Sequence, residues 1–315
     1  MSRSSSYKIK KNLQISRTVL RQTIFNTALL VCKFCIYNTI LLCYYFKIHK
    51  PSSEVIVLAS QPIYQFYSEL NDYEPKMWRR FQVFGNITMA RLGYILMTMY
   101  EMQAEHLFQL VYPLQENFER EMKSRQIFEE VPLLSHQVWR FEVDDGENFF
   151  PEEAPEGERL SDAAERTVRQ VLGYSIGNHL SMEYDFGDGW EVSLKLEDII
   201  EDQELPGREI PRVLAGEGYG IIEDCGGPSG LEQIVQAFQK KTGDEYEQFR
   251  EWLGRDDLDL SVFDLDDMNF RLKKIPRIYR DLYELGYVPT RQSLDLLQRK
   301  YLNSKRSKKS KTITQ

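Results

Sequence analysis

The chain has 315 residues, 42% of them apolar, and a formal net charge of −8. That length and composition support one substantial core with an appendage. The charge is unevenly placed: residues 1–50 carry nine Lys/Arg and no acid, residues 276–315 carry ten against three, and residues 51–275 carry 21 against 45. An acidic body between basic ends argues against a domain that grips phosphates with its own surface. Of the four cysteines, Cys32, Cys35 and Cys43 share one apolar run and Cys225 stands alone in the body. A disulfide framework is therefore not expected, which points to a reducing compartment and a cytoplasmic body.

Residues 24–46, IFNTALLVCKFCIYNTILLCYYF, hold 18 apolar residues of 23, enough to cross a bilayer. Lys33 near the centre opposes insertion by about 2.5–3.5 kcal/mol. Two readings of residues 1–62 stand side by side: a membrane anchor, or sequence translated upstream of the true start. The lack of Asp, Glu and Gly over residues 1–50 favours the second.

The body then alternates strand and helix signals. Residues 63–70 and 76–84 read as strands, the second presenting Met77, Phe81 and Val83 on one face. Thr88 caps a predicted helix in which Met89, Leu92, Ile95, Leu96, Met99 and Met102 recur at helical spacing, a stripe for core packing. Residues 106–112 make a third strand. Segment 113–162 is irregular apart from a strand over 136–143, and its Pro/Glu-rich loop reads as self-solvating. Ser161 marks a helix start ahead of Val168, Val171 and Leu172. Ser229-Gly-Leu-Glu232 has the capping-box pattern before a helix bearing Leu231, Ile234, Val235 and Phe238. Helices near 244–254 and 264–274 close the body, and Pro276 interrupts the chain. The whole predicts an α+β fold, with a mixed, largely antiparallel sheet and packed helices in one domain over 63–275.

The stretch Glu183-Tyr-Asp-Phe-Gly-Asp-Gly-Trp-Glu-Val192 is the most informative. A three-residue loop, Gly187-Asp188-Gly189, would pair Phe186 with Trp190, Tyr184 with Val192 and Met182 with Leu194, bringing the apolar sets onto one face. Asp185 then falls opposite Glu191, a like-charge pair that needs a neutralising group. Arg79 or Arg80, solvent, or a divalent cation could supply it. With Asp188 at the tip and Asp224 downstream, the expected acidic site comprises Asp185, Asp188, Glu191 and Asp224. Carboxylate oxygens of this kind suit Mg²⁺ or Mn²⁺. The turn Gly226-Gly227-Pro228 lacks a Gly-Lys-Ser/Thr ending, and Glu223 and Asp224 beside it would repel phosphate.

Taken together, MWRRFQV, EYDFGDGWEVSLKLE, EDCGGPSGLEQI and FDLDDMNFRL resemble the plasmid pRiA4b ORF-three-like family, also labelled insertion-element passenger proteins of the "TnpR" type. The resemblance runs from about Ile63 to Leu272. It implies a single α+β domain carried by bacterial and archaeal genomes and mobile elements, and it implies no known reaction. Three departures stand out. Gly220 occupies a position where members often have a second Cys, so a paired-Cys metal or redox role lacks support; Ser229 stands where an aromatic is frequent; and segment 113–160 is longer than usual. The "TnpR" label suggests a resolvase, yet no nucleophilic Ser stands amid arginines that would stabilise phosphate charge.

Beyond Pro276, two short helices around Gly286 and Pro289 are expected, with Leu294, Leu297 and Tyr301 available to dock on the body. The terminal KRSKKSKTITQ is a basic tail that could touch nucleic acid nonspecifically through residues 303–315. No residue set forms a convincing nucleophile–base pair, and only His49, His106, His136 and His179 are present. The leading expectation is a non-enzymatic binding or regulatory module that contacts a protein partner through the hairpin and needs no cofactor. The alternatives are a divalent-metal-dependent hydrolase built on the acidic hairpin, and a nucleic-acid accessory protein acting through the tail.

Overall fold

The computed structural model describes residues 61–127, 131–144, 146, 149–201 and 209–299. The apolar run 24–46, Tyr301 and the basic tail lie outside the described residues. Among the described residues no helix is long and apolar enough to cross a membrane.

One eight-stranded sheet organises the fold, in the order β5-β4-β3-β6-β7-β1-β2-β8. Its strands are β1 (Ile63–Leu70), β2 (Trp78–Phe84), β3 (Phe108–Tyr112), β4 (Val138–Glu142), β5 (Glu158–Asp162), β6 (His179–Tyr184), β7 (Trp190–Ile200) and β8 (Arg212–Glu217). Only β4 and β5 pair in parallel; every other ladder is antiparallel. The expected mixed, largely antiparallel α+β architecture is what forms.

Helix α1 (Met89–Met99) lies at the centre of the core. Thr88 caps it by accepting from the Arg91 amide, and every residue but Arg91 is buried. Met89, Met97, Met99 and Met102 are fully enclosed, so the methionine stripe is packing. Arg79, on the buried face of β2 with Phe81 and Val83, has no carboxylate partner among the described residues. Its guanidinium donates to the carbonyls of Trp78, Met99, Glu217, Gly218 and Tyr219. It also lies between the rings of Tyr100 and Phe263, 5.0 and 4.3 Å away. A cation bonded to the Met99 carbonyl, the last of α1, meets the negative end of the helix dipole. Burial pulls the Arg79 pKa down, and the ring of oxygens keeps the charge tolerable.

Segment 113–162 is more ordered than its sequence suggests. Helix α2 (Leu114–Ser124) buries Gln115 and Asn117 in place of an apolar stripe. The Asn117 amide donates to the His179 carbonyl at 2.7 Å and accepts from the His179 amide at 2.9 Å, copying a strand neighbour for the start of β6. Strand β5 is polar and sits at the sheet edge. The helix expected to start at Ser161 is α3 (Val168–Leu172), where Thr167 and Gln170 form the capping box. In α4 (Gly227–Lys240) Ser229 lies inside the first turn and caps nothing; the N-cap is Gly226 in the left-handed region. Helix α5 (Asp244–Leu253) follows, and strand β8, which was not anticipated either, is covered by Asn269 of α6 (Leu265–Leu272), which accepts from the Val213 amide and donates to its carbonyl.

The chain does not peel away after residue 275. Pro276 occupies the first turn of α7 (Ile275–Tyr283), where its missing N–H is harmless, and Ile275 and Tyr279 are buried in the main core. In α8 (Arg291–Leu297), Leu297 is buried and Leu294 is exposed.

The β6–β7 hairpin corrects the expected register. Tyr184 pairs with Trp190, Met182 with Val192 and Leu180 with Leu194. The loop therefore has five residues, Asp185 to Gly189, and Phe186 stands 55% exposed in it, away from Trp190. Asp185 causes the difference. It adopts φ +52°, its carboxylate accepts from the Gly187 and Asp188 amides at 3.1 and 3.3 Å, and its carbonyl accepts from Gly189 at 2.7 Å. Lengthening the loop by two residues preserves strand parity, so the buried faces still coincide. The like-charge cross-strand pair exists but is Glu183 opposite Glu191, not Asp185 opposite Glu191. Gln109 donates to Glu183 at 2.5 Å and Arg140 stands 3.7 Å from it.

Candidate functional site

Two chain segments meet at one end of the sheet: the loop Asp185–Gly189 and the turn Glu223–Gly227. The Gly226 amide donates to Asp188 Oδ2 at 3.1 Å. Gly227, at φ +72°, lies so near the loop that a Cβ there would come within 2.3 Å of the Asp188 carbonyl oxygen. A residue with a side chain would push the two segments apart.

This docking gathers Asp185, Glu223 and Asp224 around His106, which lies two residues before β3. His106 Nε2 lies 3.0 Å from Asp224 Oδ1, 3.4 Å from Asp185 Oδ2 and 3.9 Å from Glu223 Oε2. Donor atoms of His106, Asp185 and Asp224 all fall within 4.8 Å of one another. The imidazole edge meets the Tyr184 ring, and the Tyr283 hydroxyl of α7 donates to the His106 carbonyl, fixing the residue from beneath.

The carboxylates are differently exposed and each is held. Asp185 commits Oδ1 to the loop amides and leaves Oδ2 towards His106. Glu223 is 7% exposed; its Oε1 accepts from the Gln103 amide at 2.5 Å and the Tyr184 hydroxyl at 2.7 Å. Its Oε2 is buried without a hydrogen-bond partner. The Asp224 side chain is 61% exposed and opens the cluster to solvent.

Electrostatics follow from this placement. Burial raises the Glu223 pKa, and the bonds from Gln103 and Tyr184 and the His106 charge only partly offset it. Burial of the His106 ring opposes its protonation, but the hydrogen bond to Asp224 and the charges of Asp185 and Glu223 outweigh that and hold its pKa above the ordinary value. Burial pushes the Cys225 thiol up to about 12, with Asp188 adding to the effect, so it stays protonated and unreactive. Glu223 and Asp224 also line a cavity of about 530 Å³ with Gln103, Trp252, Arg255 and Arg299.

Of the four carboxylates read from the sequence, the structure brings Asp185 and Asp224 together and uses Asp188 to hold the loop on the turn. Glu191 is in register with Glu183 within the ladder, apart from this cluster. Neither arginine serves as its counter-charge: Arg79 is enclosed by carbonyls, and Arg80 pairs bidentately with Glu197 at 2.7 and 2.9 Å. The residues that sequence reasoning missed are His106 and Glu223. His106 bonds to a residue 118 positions away, a relation with no local signature.

Comparison with known proteins places this end of the molecule within a shared domain. Residues 62–270 match the family described as plasmid pRiA4b ORF-3-like protein. The chain belongs to this family. All four cluster residues fall inside the matched segment, while α7 and α8 follow it. A curated relative, the uncharacterized protein y4hQ of Sinorhizobium fredii (strain NBRC 101917 / NGR234), is 34% identical over 86 residues, or 27% of this chain. That match spans 43% of the relative's own length. Among solved structures, the protein of unknown function MM3350 from Methanosarcina mazei Go1 is similar in fold, with a TM-score of 0.50 and 22% identity over 66% of this chain and 97% of that one. The family and these relatives are without an assigned activity in the descriptions they carry.

Proposed function

We propose that this family member is a binding module whose working surface is the acidic cleft between the Asp185–Gly189 loop and the Glu223–Gly227 turn, and that its ligand there is positively charged. The observation that carries the reading is three carboxylates, from Asp185, Glu223 and Asp224, converging on one imidazole. Even a protonated His106 leaves this cluster negative. The protonated thiol of Cys225 supports binding over nucleophilic chemistry. Calorimetric titration of the full chain with Mn²⁺, Zn²⁺, spermidine and a lysine-rich peptide tests the proposal. Saturable binding of at least one of them, lost in the Asp185→Asn/Asp224→Asn double variant, is expected. Equal binding by both proteins, or none by either, defeats it.

The cavity beside Glu223 and Asp224 favours a second reading, hydrolysis by metal-activated water. Manganese-dependent turnover of a phosphodiester, abolished by Asp185→Asn, distinguishes the two. The cytoplasmic placement, the link to plasmids or mobile elements and a tail that holds nucleic acid rest on sequence. Loss of DNA retention at low salt on deleting residues 303–315 tests the last.

A further inference from the structure

Three carboxylates share one feature here: each places an oxygen within 4 Å of His106 Nε2, those of Asp185 and Asp224 also lying within 4.8 Å of one another and that of Glu223 standing farthest from Nε2 at 3.9 Å. For two of them the other oxygen is fixed by protein donors. Asp185 Oδ1 accepts from two loop amides, and Glu223 Oε1 accepts from the Gln103 amide and the Tyr184 hydroxyl. The remaining oxygens cannot all be satisfied by the imidazole, because one Nε2–H points in one direction. With Asp224 taking it at 3.0 Å, Asp185 Oδ2 stands at 3.4 Å and Glu223 Oε2 at 3.9 Å, the latter buried with no hydrogen-bond partner. A buried carboxylate oxygen without a donor is costly, and a fold that positions its sibling oxygen so firmly holds it in that condition.

Resting on the cleft reading above, we infer that the positively charged ligand is a single divalent transition-metal ion, Mn²⁺ or Zn²⁺ in class, bound by His106 Nε2, Asp185 Oδ2, Glu223 Oε2 and Asp224 Oδ1. Neighbouring ligand atoms around a six-coordinate ion with bonds of ~2.1 Å are separated by about 3.0 Å, so the three separations from Nε2 need to contract by at most about 1 Å. An ion at their centre satisfies all three carboxylates at once, including the orphaned Glu223 oxygen. One imidazole among carboxylates favours a first-row transition ion over Ca²⁺ or Mg²⁺, which take oxygen ligands alone. The second sphere is in place: Tyr184 and the Gln103 amide orient Glu223, the Gly187 and Asp188 amides orient Asp185, and the Tyr283 hydroxyl holds the His106 backbone. The exposure of Asp224 leaves one side of the ion to water.

The test uses the full chain, stripped with chelator and titrated with Mn²⁺ and with Zn²⁺ separately. One equivalent should bind, and a cobalt-loaded sample should show visible absorption that changes in His106→Gln. Glu223→Gln and Asp185→Asn should each weaken affinity by at least ~100-fold, beyond the loss expected from an outer-sphere partner. Should Glu223→Gln fail to fold, Asp224→Asn at the exposed ligand gives the same reading. No saturable metal binding, or affinity unchanged in these variants, overturns the metal assignment. If spermidine or the lysine-rich peptide still binds and loses affinity in the Asp185→Asn/Asp224→Asn variant, the cleft reading survives while the metal does not.

Discussion

Two clusters of charge lie on one cavity, and they have opposite characters. In the first, Glu101, 6% exposed, receives Arg271 at 3.2 Å and Arg299 at 2.6 Å, and Arg299 also pairs with Asp267. Two cations face two carboxylates, and the pairs tie the turn after α1, α6 and the segment after α8 together. In the second, three carboxylates face one histidine and a Glu223 oxygen has no partner. Both line the same cavity through Glu101, Arg299, Glu223 and Asp224. Burial alone therefore does not mark a functional group. Net charge separates the two clusters: the first pairs two cations with two carboxylates and leaves only the Arg271 Nε–H without a partner, whereas the second keeps an excess of carboxylates around one imidazole.

Substitutions can break this contrast. The largest effect is expected for Glu101→Gln, which strands the buried Arg271 and removes the main partner of Arg299; a loss of ~3–5 kcal/mol should appear in denaturant unfolding. Gly227→Ala comes next. It places a methyl against the Asp188 carbonyl at a left-handed φ, and about 1–3 kcal/mol should be lost, together with affinity for any cation in the cleft. Glu223→Gln should carry the opposite sign from Glu101→Gln in metal-free protein. Replacing an orphaned buried oxygen with a neutral amide is expected to leave stability unchanged or raise it by about 1 kcal/mol, measured by the same denaturant series. A loss of several kcal/mol there would erase the distinction between the clusters.

Proton titration sharpens the comparison with the smallest effect. In metal-free protein, His106 should titrate above the ordinary imidazole value because Asp224, Asp185 and Glu223 outweigh its burial. Its contribution to stability is complete below the unfolded-state pKa and is lost as pH rises through the folded-state pKa. His179 should titrate below the ordinary value, through burial and the nearby Arg120 and Lys195, with Glu116 opposing them. Its neutral form is the favoured one, so it costs stability as pH falls through the unfolded-state value. Two-dimensional NMR of the imidazole protons reads both; a His106 resonance that titrates below that of His179 contradicts the charge environment described.

How much could be read beforehand depended on whether a residue's role was local. Helix α1 was legible because Thr88 and the apolar spacing state both its start and its buried side. Helix α2 was not, because its anchor is an amide pair between Asn117 and His179 across 62 positions. Strand β5 carries no apolar alternation and gains its structure from parallel pairing with β4. Within the site, Asp185 and Asp224 were visible as part of unusual acidic turns, and His106 was one histidine among four.

The hairpin divides the two kinds of information most clearly. Alternation along Leu180–Tyr184 and Trp190–Leu196 determined by itself which face is buried, since side chains on a strand repeat every two residues. A loop of three or of five residues satisfies that alternation equally. Tertiary structure decided between them: the Asp185 amide donates to the Leu107 carbonyl, its carboxylate accepts from the Asp188 amide, and Asp188 is itself held by the Gly226 amide. The same closure carries Asp185 to His106 and Asp224, a meeting that no run of neighbouring residues could specify.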